Sequence, residues 1–364
     1  MQPFESALST GDINATDDSH SARDAALLGE WLPVCNSADV PAGELRGFVV
    51  AGERLVVWRN ASEAVGPAAP PDISTDVHVW RDRCPHRGAQ LSLGSVTGGL
   101  ITCPYHGWRY DVDGQCIHIP SNPSIRPAKR ACALTYRVEE KYGVVWTCLG
   151  EPSRQLDFFP EYAANDRPGA RRINLAAQTV RSSAPRVVEN FLDMAHFPFV
   201  HTGILGDASH AEVQDYEVIS IDDGLEARQC RFWQPAGLPG QEGVDIYYVY
   251  RVKRPLVASL SKAAQHGAGA LHLLLVASPV SETETRAWMV SVFEDKSTHS
   301  DEALYDFNMR ILMQDTPIVE SQWPKRLPLD PHAELHQVCD RLSVGYRQYL
   351  RERGWGYGTE LGGG

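Results

Sequence analysis

Long apolar runs, a surplus of positive charge and a patterned set of cysteines are all missing from this 364-residue chain. No stretch reaches the ~18 consecutive apolar residues of a transmembrane helix, so no membrane association is expected. The first residues, MQPFESALSTGDINATDDSHSARD, contain no apolar signal core. Residues 1–28 therefore read as a polar, flexible lead-in to a cytoplasmic protein. Basic residues number 34 against 46 acidic ones, a net charge of −12. That balance leaves no basic footprint for nucleic acid, and the acidity reads as a solvated surface. The eight cysteines stand at scattered spacings, which excludes a disulfide framework in a chain this long. No repeat with a period of roughly 20 to 50 residues is visible, which excludes a solenoid.

What the chain does have is a 43% hydrophobic content, enough for a substantial core, and a length that suits two domains or one large one. Residues 24–34 read as a short helix and the start of a strand. From Leu45 to about Leu149 the chain is β-rich: LRGFVV, ERLVVWR, VHVW, GLITC and YGVVWTCL are short β-branched or aromatic runs between Gly, Pro and Asp. A Pro- and Ala-rich loop, VGPAAPPDIST, interrupts them. Residues 150–170, GEPSRQLDFFPEYAANDRPGA, mark a composition shift and a domain boundary. Beyond it, strands are expected around IYYVYRV, ALHLLLVASPV and TRAWMVSVFE. Helices are expected near DEALYDFNMRILMQ and HQVCDRLSVGYRQYLRERG, with a flexible tail over residues 358–364.

The β-rich half carries CPHRG (84–88) and CPYHGW (103–108). Each loop offers one thiolate and one imidazole, Cys84 with His86 and Cys103 with His106, and 16 residues lie between the pairs. A zinc finger keeps its cysteines and histidines in separate blocks. One Cys and one His per loop suits a two-iron cluster with both thiolates on one iron and both imidazoles on the other, the Rieske pattern. A structural zinc site is the alternative. Gly88 and Gly107 let the backbone turn tightly beside the cluster, and Trp108 is expected to shield one side of it. Cys35, Cys116, Cys132, Cys148, Cys230 and Cys339 have no ligand-like partners and read as small buried hydrophobes.

The second half carries NFLDMAHFPFVH (190–201), with His196 and His201 five residues apart across Pro198. Five helical positions turn about 500°, so the two rings would not share a face of a straight helix. Pro198 is expected to end or bend the helix at Phe197, which lets the histidines converge on one point. Asn190, Asp193 and His196 are spaced by threes, on one side of that helix.

These motifs resemble the Rieske non-heme iron oxygenases, the α-subunits of ring-hydroxylating oxygenases and the O- or N-demethylating monooxygenases. CPHRGAQLSLG and CPYHGWRYDVDGQC resemble the two cluster loops, and NFLDMAHFPFVH resembles the N-x-x-D-x-x-H-x-x-x-x-H motif. The resemblance implies an α+β chain: an all-β Rieske domain over 29–150, then a catalytic domain over 151–357 with an antiparallel sheet flanked by helices. It implies a [2Fe–2S] cluster on Cys84, His86, Cys103 and His106. It also implies Fe(II) on His196, His201 and a carboxylate from a late helix, where Asp315 fits best and Glu320 and Asp330 are the alternatives. Asp193 would orient a ligating imidazole and link the iron site to a cluster histidine of a neighbouring subunit in a closed trimer. Asn190 would lie near the iron.

The implied reaction uses O2 and single electrons drawn from NAD(P)H by a separate ferredoxin or flavin reductase, since no such domain is fused on. It hydroxylates or demethylates a small aromatic or heterocyclic substrate; cis-dihydroxylation is the runner-up. Substrate contacts are expected between about residues 225 and 295 and on the helix before Asp315. His272 is the polar pocket candidate, against the plainer reading of a satisfied histidine on a buried strand. Two other classes compete. An electron carrier would need only the first ~150 residues, and a zinc-stabilised binding protein would be colourless.

Overall fold

In the computed structural model the run ERLVVWR is a strand buried at every position but Arg54, as its β-branched and aromatic content favours. The structure describes residues 25–60, 77–157, 159, 170–236, 243–264, 271–293 and 299–360. After a one-turn helix, α1 (Ala25–Leu28), come β1 (Leu32–Asn36), β2 (Leu45–Val50), β3 (Glu53–Arg59) and β4 (Val77–Arg81). Next are β5 (Ser95–Thr97), β6 (Leu100–Thr102), β7 (Arg109–Tyr110) and β8 (Cys116–His118), then β9 (Thr135–Lys141) and β10 (Val144–Cys148). They form a six-stranded sheet in the order β1-β10-β9-β4-β3-β2 and a four-stranded sheet, β5-β6-β7-β8. Every pairing in both is antiparallel.

The second half is built on one antiparallel sheet. Its strands are β11 (Arg171–Asn174), β12 (Gln178–Val180), β13 (Glu217–Ile221), β14 (Gly224–Gln234), β15 (Val244–Arg254), β16 (Val257–Ala264), β17 (Leu271–Ser281) and β18 (Glu284–Phe293). They run in the order β11-β18-β17-β16-β15-β14-β13, with β12 also on β18. Helices α2 (Ala184–Leu192), α3 (Phe197–Val200), α4 (Asp301–Ser321) and α5 (Arg341–Glu352) flank it. Ser183 caps α2 by accepting from Arg186 N, and Ser300 caps α4 by accepting from Ala303 N. Each cap satisfies an N–H that the first turn leaves free. The architecture is α+β, as expected.

One hydrophobic core runs through both halves, from Trp31 and Trp146 to Trp288 and Tyr346. Polar contacts tie the halves at the same seam. Ser278 Oγ donates to Pro33 O at 2.7 Å, Asn36 Nδ2 donates to Leu175 O at 2.8 Å, and buried Glu30 pairs with buried Arg254. A smaller core of Trp58, Trp80, Leu91, Ile101 and Tyr110 surrounds Cys84 and Cys103.

Several expectations need correction. The lead-in ends before residue 28, because Leu27 is buried in the core; residues 1–24 lie outside the described residues. Thr359 and Glu360, assigned to the tail, instead pair in parallel with Leu327 and Pro328. Cys132 is exposed and Cys339 is half-buried, so those two are not buried hydrophobes. The loop VGPAAPPDIST and most of the 150–170 boundary lie outside the described residues.

Candidate active site and metal centres

The two Cys-His loops close in the same way despite their different spacing. Gly88 N donates to Cys84 O at 2.9 Å, and Gly107 N donates to Cys103 O at 3.1 Å. Both glycines have positive φ, +72° and +69°, where a Cβ is strained. Cys84 N and Cys103 N then bond to the carbonyls of Ala89 and Trp108, which shuts each loop. Below the first loop, buried Asp82 accepts from Ser92 N at 2.7 Å and from the Ser92 hydroxyl at 2.6 Å. Both thiols are buried, whereas His86 is half-buried and His106 exposed. The two imidazoles stand together, with ring centroids 4.6 Å apart. Trp108 of the second loop stacks on His86 of the first at 4.3 Å.

This arrangement fits the group that the Cys-His pattern implies. His86 Nδ1 is buried with no hydrogen-bond partner among the described residues. Burial, then His106 and Arg87, holds its imidazole below the ordinary value, which favours the neutral, ligating form. Burial raises the Cys103 thiol, while backbone N–H groups of Tyr105 and His106 act against that. Tyr110, which is fully buried, places its hydroxyl 3.0 Å from Cys84 Sγ. Sequence spacing gave no signal for Tyr110.

The second centre is assembled from α2, α3 and α4. The chain leaves the helix earlier than expected: α2 ends at Leu192, and Asp193 is extended at φ −85° and ψ 136°. Pro198 does not break that helix. It sits in the first turn of α3, where its missing N–H costs nothing. His196 caps α3 at its start and His201 follows its end, so the short helix turns the two rings toward each other. His196 Nε2 and His201 Nε2 are 3.2 Å apart. Asp315 Oδ1, from α4, lies 3.4 Å and 3.1 Å from those nitrogens.

Proton bookkeeping explains why these three atoms suit a cation. His196 Nδ1 faces Asp193 Oδ2 at 3.2 Å, and His201 Nδ1 faces Gln314 Oε1 at 3.0 Å. With each Nδ1–H donated to its oxygen, both Nε2 atoms are acceptors. Three acceptors then converge, and Asp315 Oδ1 is buried without a hydrogen-bond partner among the described residues. A metal ion resolves that convergence. Among the described residues, His196, His201 and Asp315 are the group whose ligand atoms lie within 4.8 Å of one another.

Asp193 has a second hold, accepting from Ala195 N at 2.8 Å. Burial alone would raise its carboxyl. The hydrogen bond from His196 and the nearby backbone N–H groups outweigh that and keep it below the usual range. Glu320 and Asp330 are engaged elsewhere, accepting from Arg181 N and His332 N. Gln314, which the sequence reading passed over, is signalled only by its place next to Asp315.

A cavity opens over the triad. Asn190, Asn308 and Lys262 supply its polar wall, and Phe197, Tyr248 and Leu273 are among its apolar lining. His272 does not line it. Leu273 does, and neighbouring residues on a strand face opposite ways. His272 instead bonds Ser261 at 2.8 Å on the other face.

A Rieske-type cluster domain joined to a two-His, one-carboxylate site beside a largely apolar cavity defines a class of oxygen-using terminal oxygenases. Comparison with known proteins agrees. Residues 30–130 match the Rieske [2Fe-2S] domain, and residues 180–354 match the vanillate O-demethylase oxygenase C-terminal domain. Methylxanthine N1-demethylase NdmA of Pseudomonas putida is 31% identical over 334 residues, 88% of each chain. A probable methylxanthine N7-demethylase, NdmC of Pseudomonas sp. (strain TJI-51), is 41% identical over 226 residues, 61% of this chain and 78% of that one. The structure of NdmA with caffeine superposes with a TM-score of 0.74 at 29% identity, covering 90% of this chain and 91% of that one. The chain belongs to the Rieske non-heme iron oxygenases. It is a terminal oxygenase that uses O2 and electrons from a separate reductase to hydroxylate or oxidatively demethylate a small aromatic or heterocyclic substrate. Its cofactors are a Rieske cluster and mononuclear iron.

Proposed function

We propose that this oxygenase removes an N- or O-methyl group from a small planar ring as formaldehyde. The convergence of His196, His201 and Asp315 at one end of an aromatic-walled cavity carries the reading. The demethylase activities named for the relatives support it. In the balanced reaction, substrate, O2, two electrons and two protons give the demethylated ring, formaldehyde and water. Iron, when bound, supplies the site at which O2 is activated. His196, His201 and Asp315 hold it, with Asp193 and Gln314 fixing which imidazole nitrogen is free to ligate. Cys84, His86, Cys103 and His106 hold the cluster. Asn190 and Asn308 orient polar edges of the ring. Apolar side chains such as Phe197 and Leu273 exclude water from the reacting carbon.

The working assembly in this reading is a cytoplasmic homotrimer. Tyr105 is 65% exposed beside His106, and Phe199 and Val338, 68% and 76% exposed, line one surface groove with Ala195, two residues from Asp193. A head-to-tail contact between two such unlike patches closes into a ring of copies. The test of the reaction is mass spectrometry of products from methylated aromatic and heterocyclic substrates under ¹⁸O2. Formaldehyde with a demethylated ring is the expected result. Addition of two oxygens and two hydrogens would assign a cis-dihydroxylase instead.

A further inference from the structure

A second, smaller cavity adjoins the one over the triad. Val180, Val187, Leu275, Leu312 and Val319, all buried, make most of its wall. Asn190 and Asp315 line both cavities, so the two meet at the triad. Their arrangement follows from side-chain periodicity. On α4, Asn308, Ile311 and Asp315 face the substrate cavity, and Leu312, Asp315 and Val319 face the smaller one. Steps of three and four keep these residues on one stripe of the helix, and Asp315 is where that stripe passes from one cavity to the next. Strand β17 repeats the step. Leu273 lines the first cavity, and Leu275, two residues on and on the same sheet face, lines the second.

The smaller cavity measures about 20 Å³, and one water-sized molecule needs roughly 10 to 15 Å³. It therefore has room for a single water or diatomic molecule. Its lining disfavours water. Asp315 is the one charged residue that lines it among the described residues, and Asp315 Oδ1 is turned toward His196 and His201. The hydroxyl of Thr316, at its edge, donates to Leu312 O at 3.1 Å. Cavities with aliphatic walls stay dry and take up apolar molecules. Dioxygen, which the enzyme uses, is small and apolar and dissolves better in hydrocarbon than in water. A ring bound in the first cavity occupies the approach from that side, so a reactant arriving after it needs room of its own. We propose that the smaller cavity is a docking site for dioxygen beside the triad, separate from the site of the organic substrate. Hydroxylation and demethylation both consume O2, so the inference goes beyond the demethylase reading and holds for either reaction.

The test begins with crystals of the iron-loaded enzyme under xenon pressure, since xenon enters dry apolar cavities. A xenon atom should appear between Val180, Val187, Leu312 and Val319. Its absence, or an ordered water in that place, overturns the proposal. Val187→Phe then fills the space from one side and should abolish the xenon site. Iron content and the visible cluster spectrum check that the variant is folded, and the milder Val319→Leu replaces it if it is not. With a substrate taken from the ¹⁸O2 product screen, an oxygen electrode should read a KM for O2 about 10-fold higher in the filled variant, the scale of losing one small apolar site. The KM for the organic substrate should be unchanged. A raised KM for the organic substrate with an unchanged KM for O2 would make the space a rear extension of the substrate cavity and overturn the proposal. Two unchanged KM values in a variant that no longer takes up xenon would overturn it as well, because the gas site would then play no part in supplying O2.

Discussion

The two Cys-His loops and the His196, His201 and Asp315 convergence position their candidate ligand atoms by different means. Each loop is closed by its own backbone, with Gly88 N on Cys84 O and Gly107 N on Cys103 O. All four cluster residues lie within 23 positions of one another, counting from Cys84 to His106. The triad joins α3 to α4 across more than a hundred residues, and side chains orient it: Asp193 on His196 and Gln314 on His201. The environments differ too. In the loops His106 is exposed and His86 half-buried, whereas His201 is 1% exposed. A site made by local backbone tolerates changes in distant packing. A site made by tertiary contact can be altered by one neighbouring side chain while its ligands stay intact.

That contrast can be broken most severely at the cluster. Cys84→Ala removes one of the two thiolates that the Cys-His loops offer. Turnover should fall below detection and the red-brown absorbance should vanish, read by visible spectroscopy of the folded protein. Survival of the spectrum would mean that the loops hold something other than the expected cluster.

Next in size is separation of the sites. His196→Ala and Asp315→Ala should each lose mononuclear iron and turnover, with the cluster spectrum retained, because the two ligand sets share no residue. Metal analysis beside absorbance reads both quantities. Glu320→Ala, which removes only an acceptor for Arg181 N, should keep its iron. Iron loss in Glu320→Ala would move the third ligand along α4.

Asp193→Asn sharpens the comparison rather than breaking it. It keeps size and one accepting oxygen but removes the charge facing His196. A lost partner of a ligating imidazole costs about 10- to 100-fold in metal affinity or activity. If Asp193 also links the iron site to a neighbouring subunit's cluster, turnover should fall further than iron affinity does. Rapid mixing of reduced, substrate-loaded enzyme with O2 separates the two, and wild-type reoxidation would leave Asp193 without an electronic role. The smallest effect is expected at Gln314. Gln314→Leu should weaken iron binding about 10-fold, the low end of the same range, because the neutral amide holds His201 without a charge. An iron titration that matched wild type would show that burial alone fixes the His201 ring.

The sequence by itself was enough for the Cys-His loops, the convergent His pair and most strands, since each depends on residues close along the chain. Turn-forming glycines, Cys-His spacing and β-branched runs act over a few positions. Long-range contact decided the rest. Proline is excluded from a helix interior yet welcome in its first turn, so the residues around Pro198 allowed either reading, and packing of α3 chose the start of a new helix. Asp315, Glu320 and Asp330 were all available carboxylates until the placement of α4 against α3 put Asp315 alone beside the two imidazoles. On β16 and β17 the alternation of side chains fixes which residues share a face but not which face looks at the cavity. For that reason His272 could be named as a pocket candidate beside its plainer reading, a satisfied histidine on a buried strand, and the structure bears out the plainer one: the two-residue period was in the sequence, and its orientation came only from the helices laid across one side of the sheet.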